Sequence, residues 1–239
     1  DALLTLSSGD ARKLLGTLEL LIQSAQSKDI QITNKMVESV VQSNMAKYDK
    51  NGEYHYDIIS AFIKSLRGSD PNASLYWLAK MIDGGEDPKF IARRLLIFAS
   101  EDIGMANTNA LLIANACFDG VSKIGYPECS IILSHAVVYL ATSAKSNASY
   151  MALKEAQTTI RKYGDLSVPL HLRNAPTKLM KDLSYGKDYQ YAHNHEGNFV
   201  AENYLPKEIK NETFYKPGKN PRENEILKQL KNWWPKKYN

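Results

Sequence analysis

The sequence predicts an all-α chain. Three observations carry this: helix-capping residues recur throughout, apolar residues return at the 3.6-residue helical period, and strand signals are nearly absent. Ser7 or Ser8 can cap a first helix whose apolar face holds Leu14, Leu15, Leu18, Leu21 and Ile22. Thr33 can cap a second, carrying Met36, Val37, Val40 and Val41. Ile58, Ile59, Phe62, Ile63 and Leu66 form one face of a third helix that stops at Gly68. Asp70-Pro71 and Asp87-Pro88 each pair a capping carboxylate with a proline at the first helical position, where its missing N–H costs nothing, and Gly84-Gly85 supplies the stop between them. Further helices are expected over 107–119 from Asn107, 127–143 from Pro127, and 147–163 from Asn147 up to Gly164. Such short connections suit an α-helical bundle or array. A short helix around 175–184 precedes an irregular arm rich in Tyr, Asn, Lys and Pro, expected to wrap over the helical body, and a last helix spans 221–233.

Composition narrows the class. With 239 residues, 44% of them hydrophobic, the chain can bury a sizeable core. No apolar run reaches the roughly 18 to 20 residues needed to span a bilayer, and no signal peptide is present. Residue 1 is Asp and the apolar pattern is already under way at Leu3 and Leu4, so the chain reads as the continuation of a longer one. Cys117 and Cys129 are too few for a disulfide framework or a zinc site and read as buried thiols in a reducing compartment, hence a cytoplasmic protein. The net charge is +4, yet Tyr204–Asn239 alone holds nine Lys/Arg against four Asp/Glu. The basic character therefore belongs to the tail.

No complete active site is legible. A P-loop requires Gly-Lys followed by Ser or Thr, whereas Gly186-Lys187 runs into Asp188 and Gly218-Lys219 into Asn220. "LLIFASED", residues 95–102, resembles a strand with terminal magnesium ligands, but it continues the helix opened by Asp87-Pro88, and its acids are expected to pair with Arg93 or Arg94. His193 and His195 in "AHNHEGN" lack the ribbon and helix of a metal nuclease and read as polar loop residues, so no metal site is assigned. His135, on an apolar helix, reads as a satisfied core histidine. In "ILKQLKNWWPKKYN", Lys228, Lys231, Trp233, Trp234, Lys236 and Lys237 combine stacking surfaces with cations, the composition of a DNA-contacting segment. The competing reading makes the tryptophans anchors of the last helix and the lysines its solvated face.

Three stretches, "SGDAR", "YDKNGEYHYDIISAFIKSLRGSDPNASLYWLAKMIDGGEDPKFIARRLLIFASEDIG" and "VPLHLRNAPTKLMKDLSYG", with "SAKSNASYMAL" and "YLPKEI" after the second and third, resemble the C-terminal half of the RarA/MgsA family. These are the replication-associated recombination AAA+ ATPases, to which the Werner-helicase-interacting proteins are related. The resemblance runs from residue 1 to about residue 216, and 217–239 follows the family loosely.

The resemblance implies a remnant of the AAA+ helical lid over 1–47, a clamp-loader-collar-like α-helical oligomerisation domain over 48–190, and an irregular basic C-terminal arm with its last helix over 191–239. Arg12 of "GDAR" matches sensor 2, the arginine that donates hydrogen bonds to the γ-phosphate of ATP. ATP and magnesium are then cofactors of the full-length protein, whose P-loop and magnesium site precede residue 1, and this part alone is not an enzyme. The resemblance further implies a homotetramer acting at stalled replication forks of a bacterial nucleoid, with DNA and single-stranded DNA-binding protein as partners and no membrane role. From the residues, assembly is expected through helices such as 58–66, 90–98 and 131–140, which are apolar over more than one stripe. The alternative is a free-standing helical nucleic-acid-binding or adaptor module, which requires a basic face on the body rather than on the tail.

Overall fold

The structure, a computed structural model, describes residues 2–7, 11–24, 31–37, 39 and 52–238. The described residues contain helices and turns and no β-strand. By packing, the chain divides into two compact units, one of residues 1–99 and 109–143, the other of residues 100–108 and 144–239. This division differs from the three segments 1–47, 48–190 and 191–239, which were drawn by role.

In the first unit, helices α1 (Ala2–Ser7) and α2 (Ala11–Ser24) pack together. Ser7 is the last residue of α1, its side chain lies outside the described residues, and so does Ser8. Thr33 does cap: its Oγ1 accepts from the Met36 N–H at 3.3 Å, and residues 34–37 are helical, whereas Val40 and Val41 lie outside the described residues. Helix α3 (Gly52–Arg67) buries Ile58, Ile59, Phe62, Ile63 and Leu66 and ends at Gly68. Asp70 then starts α4 (Pro71–Asp83), its carboxylate accepting from the Asn72 and Ala73 N–H groups at 2.9 and 3.0 Å. Asp87 does the same for α5 (Pro88–Phe98), accepting from the Lys89 N–H at 3.0 Å.

Helices α6 (Asn109–Ile124) and α7 (Cys129–Thr142) complete this unit, each beginning two residues later than the spacing predicts. Helix α7 packs against α3, α4, α5 and α6, and this position explains a sequence that is apolar on almost every side. Cys129, Leu133, Ala136, Val137, Leu140 and Ala141 are buried, while Ile131 and Val138 stay exposed. His135 is also exposed, so the core-histidine expectation fails: it falls on the sliver of α7 that faces water. Cys117 and Cys129 are both buried, as expected, and burial reinforced by Cys129 pushes the Cys117 thiol up to about 11.

The second unit begins within a π-helical turn, Ala99–Ile103, and a 3₁₀ turn, Gly104–Ala106. The helical reading of "LLIFASED" stands, but its expected ion pairs do not. Arg93 pairs with Asp87 at 3.6 Å, and Asp102 is buried beside Lys145. Burial lowers the Lys145 ammonium and the Asp102 charge opposes that shift. Helix α8 (Ala148–Tyr163) receives its cap from Ser146, whose Oγ accepts from the Ala148 N–H at 3.3 Å, rather than from the Asn147 side chain. It stops at Gly164, where φ is +72° and the N–H reaches the Ile160 carbonyl at 2.8 Å. Helix α9 (Lys178–Asp182), capped by Thr177, is shorter than the predicted 175–184. The arm follows in turns and single 3₁₀ steps to α10 (Pro221–Trp233) and the short α11 (Pro235–Tyr238).

Candidate nucleic-acid interface

The tail is organised by a buried carboxylate. Asn220 caps α10 by accepting from the Glu223 N–H at 3.0 Å, and its side-chain amide donates back to the Glu223 carboxylate, a reciprocal pair built on the capping-box spacing. Glu223 is fully buried. Burial by itself raises its pKa, but donors from Ser146, Asn220, the Gly218 N–H and Tyr215 outweigh that and hold the carboxyl below its ordinary range. The Tyr215 hydroxyl donates to Oε1 at 3.0 Å, and burial followed by this contact pushes the phenol far above its usual range. A Cβ on Gly218 would meet Glu223 Oε2 at 2.8 Å, so this position has no room for a side chain. Tyr238 ties the chain end back, donating to the Tyr215 carbonyl at 3.0 Å.

This frame sets the direction of the aromatic and basic residues. Trp234 precedes Pro235 and leaves the helical region, with φ −128° and ψ 60°, because the proline ring excludes α geometry before it. The resulting bend places Trp233, Trp234, Lys236 and Lys237 on one cleft of about 440 Å³, together with Lys210 and Asn211 from the preceding arm. Phe199 stacks on Trp233 with centroids 5.7 Å apart and planes at 13°, and it meets Trp234 edge-on at 5.2 Å. Tyr204 meets Trp234 edge-on at 6.3 Å, and Lys237 Nζ lies 5.4 Å from the Trp234 ring centroid. Trp233 keeps 37% of its surface exposed. The rings are therefore anchored within the arm and also line an open cleft. Lys228 and Lys231 are exposed on α10 and do not line it. Glu202, on the cleft wall, has Oε1 3.5 Å from His171 Nε2, and that ring nitrogen also lies 3.1 Å from the Asn203 carbonyl.

The other sequence-derived candidates fall elsewhere. Arg12 lies in α2, but its side chain is outside the described residues. Gly186-Lys187 lies in a turn, while Gly218-Lys219 leads into α10 with the Gly218 N–H already donated to Glu223; neither forms a phosphate-cradling loop, so the described residues do not fit an ATP site. His193 and His195 are exposed on 3₁₀ turns. Among the described residues no group of three or more His, Cys, Asp or Glu side chains is placed to hold a metal ion. Lys210 and Asn211 were missed by sequence reasoning, because only the arm's general richness in Lys and Asn signals them.

A family model described as AAA C-terminal domain matches residues 1–67, and one described as MgsA AAA+ ATPase C terminal matches residues 68–234. Among similar proteins, replication-associated recombination protein A of Coxiella burnetii is 43% identical over 94% of this chain and 52% of its own length. Its Escherichia coli namesake is 41% identical over 96% and 52%. The ATPase WRNIP1 of Dictyostelium discoideum is 39% identical over 90% and 27%. The chain thus spans about half the length of these bacterial relatives and less of the amoebal one. With two thirds of its residues covered by one model and nearly all the rest by the other, the chain belongs to the MgsA family of AAA+ ATPases and corresponds to their C-terminal region.

Proposed function

We propose that the chain is the lid and assembly portion of an ATP-dependent DNA replication and recombination maintenance ATPase that acts at stalled forks. In this reading residues 1–47 are the end of the helical lid, 48–190 assemble a homotetramer, and 191–239 form a basic arm that meets DNA. Nucleotide chemistry then belongs to sequence preceding Asp1, with Arg12 leaning onto the γ-phosphate, and single-stranded DNA-binding protein is a partner of the whole assembly.

The observation that carries self-association is helix α8, which exposes Met151, Leu153 and Ile160 at 50, 59 and 64% and buries no residue fully. Apolar surface of this kind favours a partner. It also shifts the expected contact surface. The apolar residues of 58–66 are consumed inside the first unit, whereas Ile97 and Ile131 of the other two helices, and several residues of α8, are left outside. A closed symmetric assembly buries such residues without free ends. The 239-residue chain is therefore expected to sediment as a tetramer at micromolar concentration. A 26.9 kDa particle throughout that range would defeat the reading, and a stable dimer would keep self-association while rejecting four-fold assembly.

Arg12 gives the second test. The chain by itself should show no tight ATP binding by calorimetry, since one arginine cannot replace a cradle of N–H groups, lysine and magnesium. In the longer protein Arg12→Ala should slow turnover and leave particle mass unchanged. Unaltered turnover would remove Arg12 from the nucleotide site.

A further inference from the structure

We propose that the cleft of the arm is a site for single-stranded nucleic acid, taking an unpaired base against Trp233 and its flanking phosphates on Lys210, Lys236 and Lys237. The proposal rests on the reading that the arm meets DNA, and it names the form of DNA. The cleft volume of about 440 Å³ falls in the range of small-ligand sites, roughly 300 to 1,000 Å³, and a duplex cannot enter it.

The lining decides the ligand class. Three lysines line the cleft against one glutamate, Glu202, whose Oε1 lies 3.5 Å from His171 Nε2 and whose Oε2 is buried, so the balance favours an anion. Phe199 holds one side of the Trp233 ring nearly parallel, which stiffens it, and the 37% of Trp233 still exposed offers apolar surface to a flat ring. Paired bases have both faces covered by their neighbours, so this surface is available only to a base out of the stack. Asn211 adds an amide with both donor and acceptor, suited to the edge of any base and selective for none. Lys237, lying over Trp234, places its charge at the border of the aromatic wall, where the sugar-phosphate chain leaves a stacked base. The phosphate-binding and stacking elements come from separate stretches, Lys210-Asn211 and 233–237, which the Glu223 and Tyr238 contacts bring into one frame.

The test uses the 239-residue chain and its own tryptophans, two of the three being on the cleft. A short oligothymidylate should quench their emission, and a hairpin duplex of equal length should not. Lys210→Gln and Asn211→Ala, both at exposed positions, should weaken oligothymidylate binding by ~5-fold or more, and Trp233→Ala by roughly 5- to 100-fold. Trp233→Phe preserves a ring if Trp233→Ala does not fold. Lys123→Gln, on α6, should bind as the parent does.

Normal binding by the Lys210 and Asn211 variants, with weakening when Lys228 and Lys231 are neutralised, would overturn the cleft and keep an arm that meets DNA. Absence of all oligonucleotide binding would remove both. Equal quenching by duplex, or tighter quenching by a polyglutamate peptide than by oligothymidylate, would assign the cleft to a different ligand and overturn the proposal.

Discussion

Glu223→Ala is expected to destabilise the second unit by about 3 to 5 kcal/mol, measured as a drop in urea midpoint or as loss of amide-exchange protection over 215–238. The carboxylate is fully buried and collects donors from Ser146, Tyr215, Asn220 and Gly218. Truncation leaves those part-buried donors without their shared acceptor, around a void. Each abandoned polar group costs about 1 to 3 kcal/mol, and partial rearrangement keeps the total below a plain sum. Glu223→Gln should cost less, about 1 to 2 kcal/mol, because it preserves the shape but turns an amide donor toward groups that themselves donate. Acid provides an independent signature. The folded-state pKa of Glu223 lies below its ordinary value of 4.5, so its contribution is complete above that pH and declines as pH falls through the folded value. Below pH 4.5 the stability gap between the parent chain and Glu223→Gln should therefore narrow. A gap that stays constant on acidification would show that the charge contributes nothing.

Leu133→Ala should cost about 2 to 5 kcal/mol in the first unit. Leu133 is fully buried on α7, the helix that packs against four others, between Cys129 one turn before and Val137 one turn after, both also fully buried. A cavity there has walls on several helices that cannot all collapse together. His135→Ala on the same helix should change chain stability by less than about 0.5 kcal/mol, because that side chain is exposed. The two buried thiols supply a readout. Burial pushes the Cys117 thiol up to about 11 and both cysteines are enclosed, so thiol reagents should react slowly at neutral pH with the parent chain and with His135→Ala, and much faster with Leu133→Ala. Equal labelling rates in the two variants would contradict this account of the core.

Local chemistry made most of the fold legible. Asp70-Pro71 and Asp87-Pro88 specify helix starts by bonds that span only two or three residues, so no distant part of the chain is needed to read them. Gly164 marks a stop for the same reason: a left-handed residue with a bond back to Ile160 is a local event. Reading failed where a residue's role depends on what packs beside it. His135 sits among buried neighbours in sequence and still points to solvent, because an all-apolar helix does not announce which narrow face stays wet. Arg93 pairs with Asp87 six residues earlier, on the same helix start, and not with the acids that follow it in sequence.

The tail shows where the division lies. By itself the sequence determined that a last helix spans 221–233 and that the basic charge is concentrated in the tail, since both are matters of neighbours along the chain. Only the tertiary structure decided that Glu223 also takes donors from Ser146 and Tyr215, and that Lys210 shares a cleft with Trp233 and Lys237. Those partners lie from 8 to 77 residues away along the chain. Closing such separations carries an entropy cost that sequence spacing does not encode, and the contacts that offset it exist only once the arm has folded against α8 and its flanking turns.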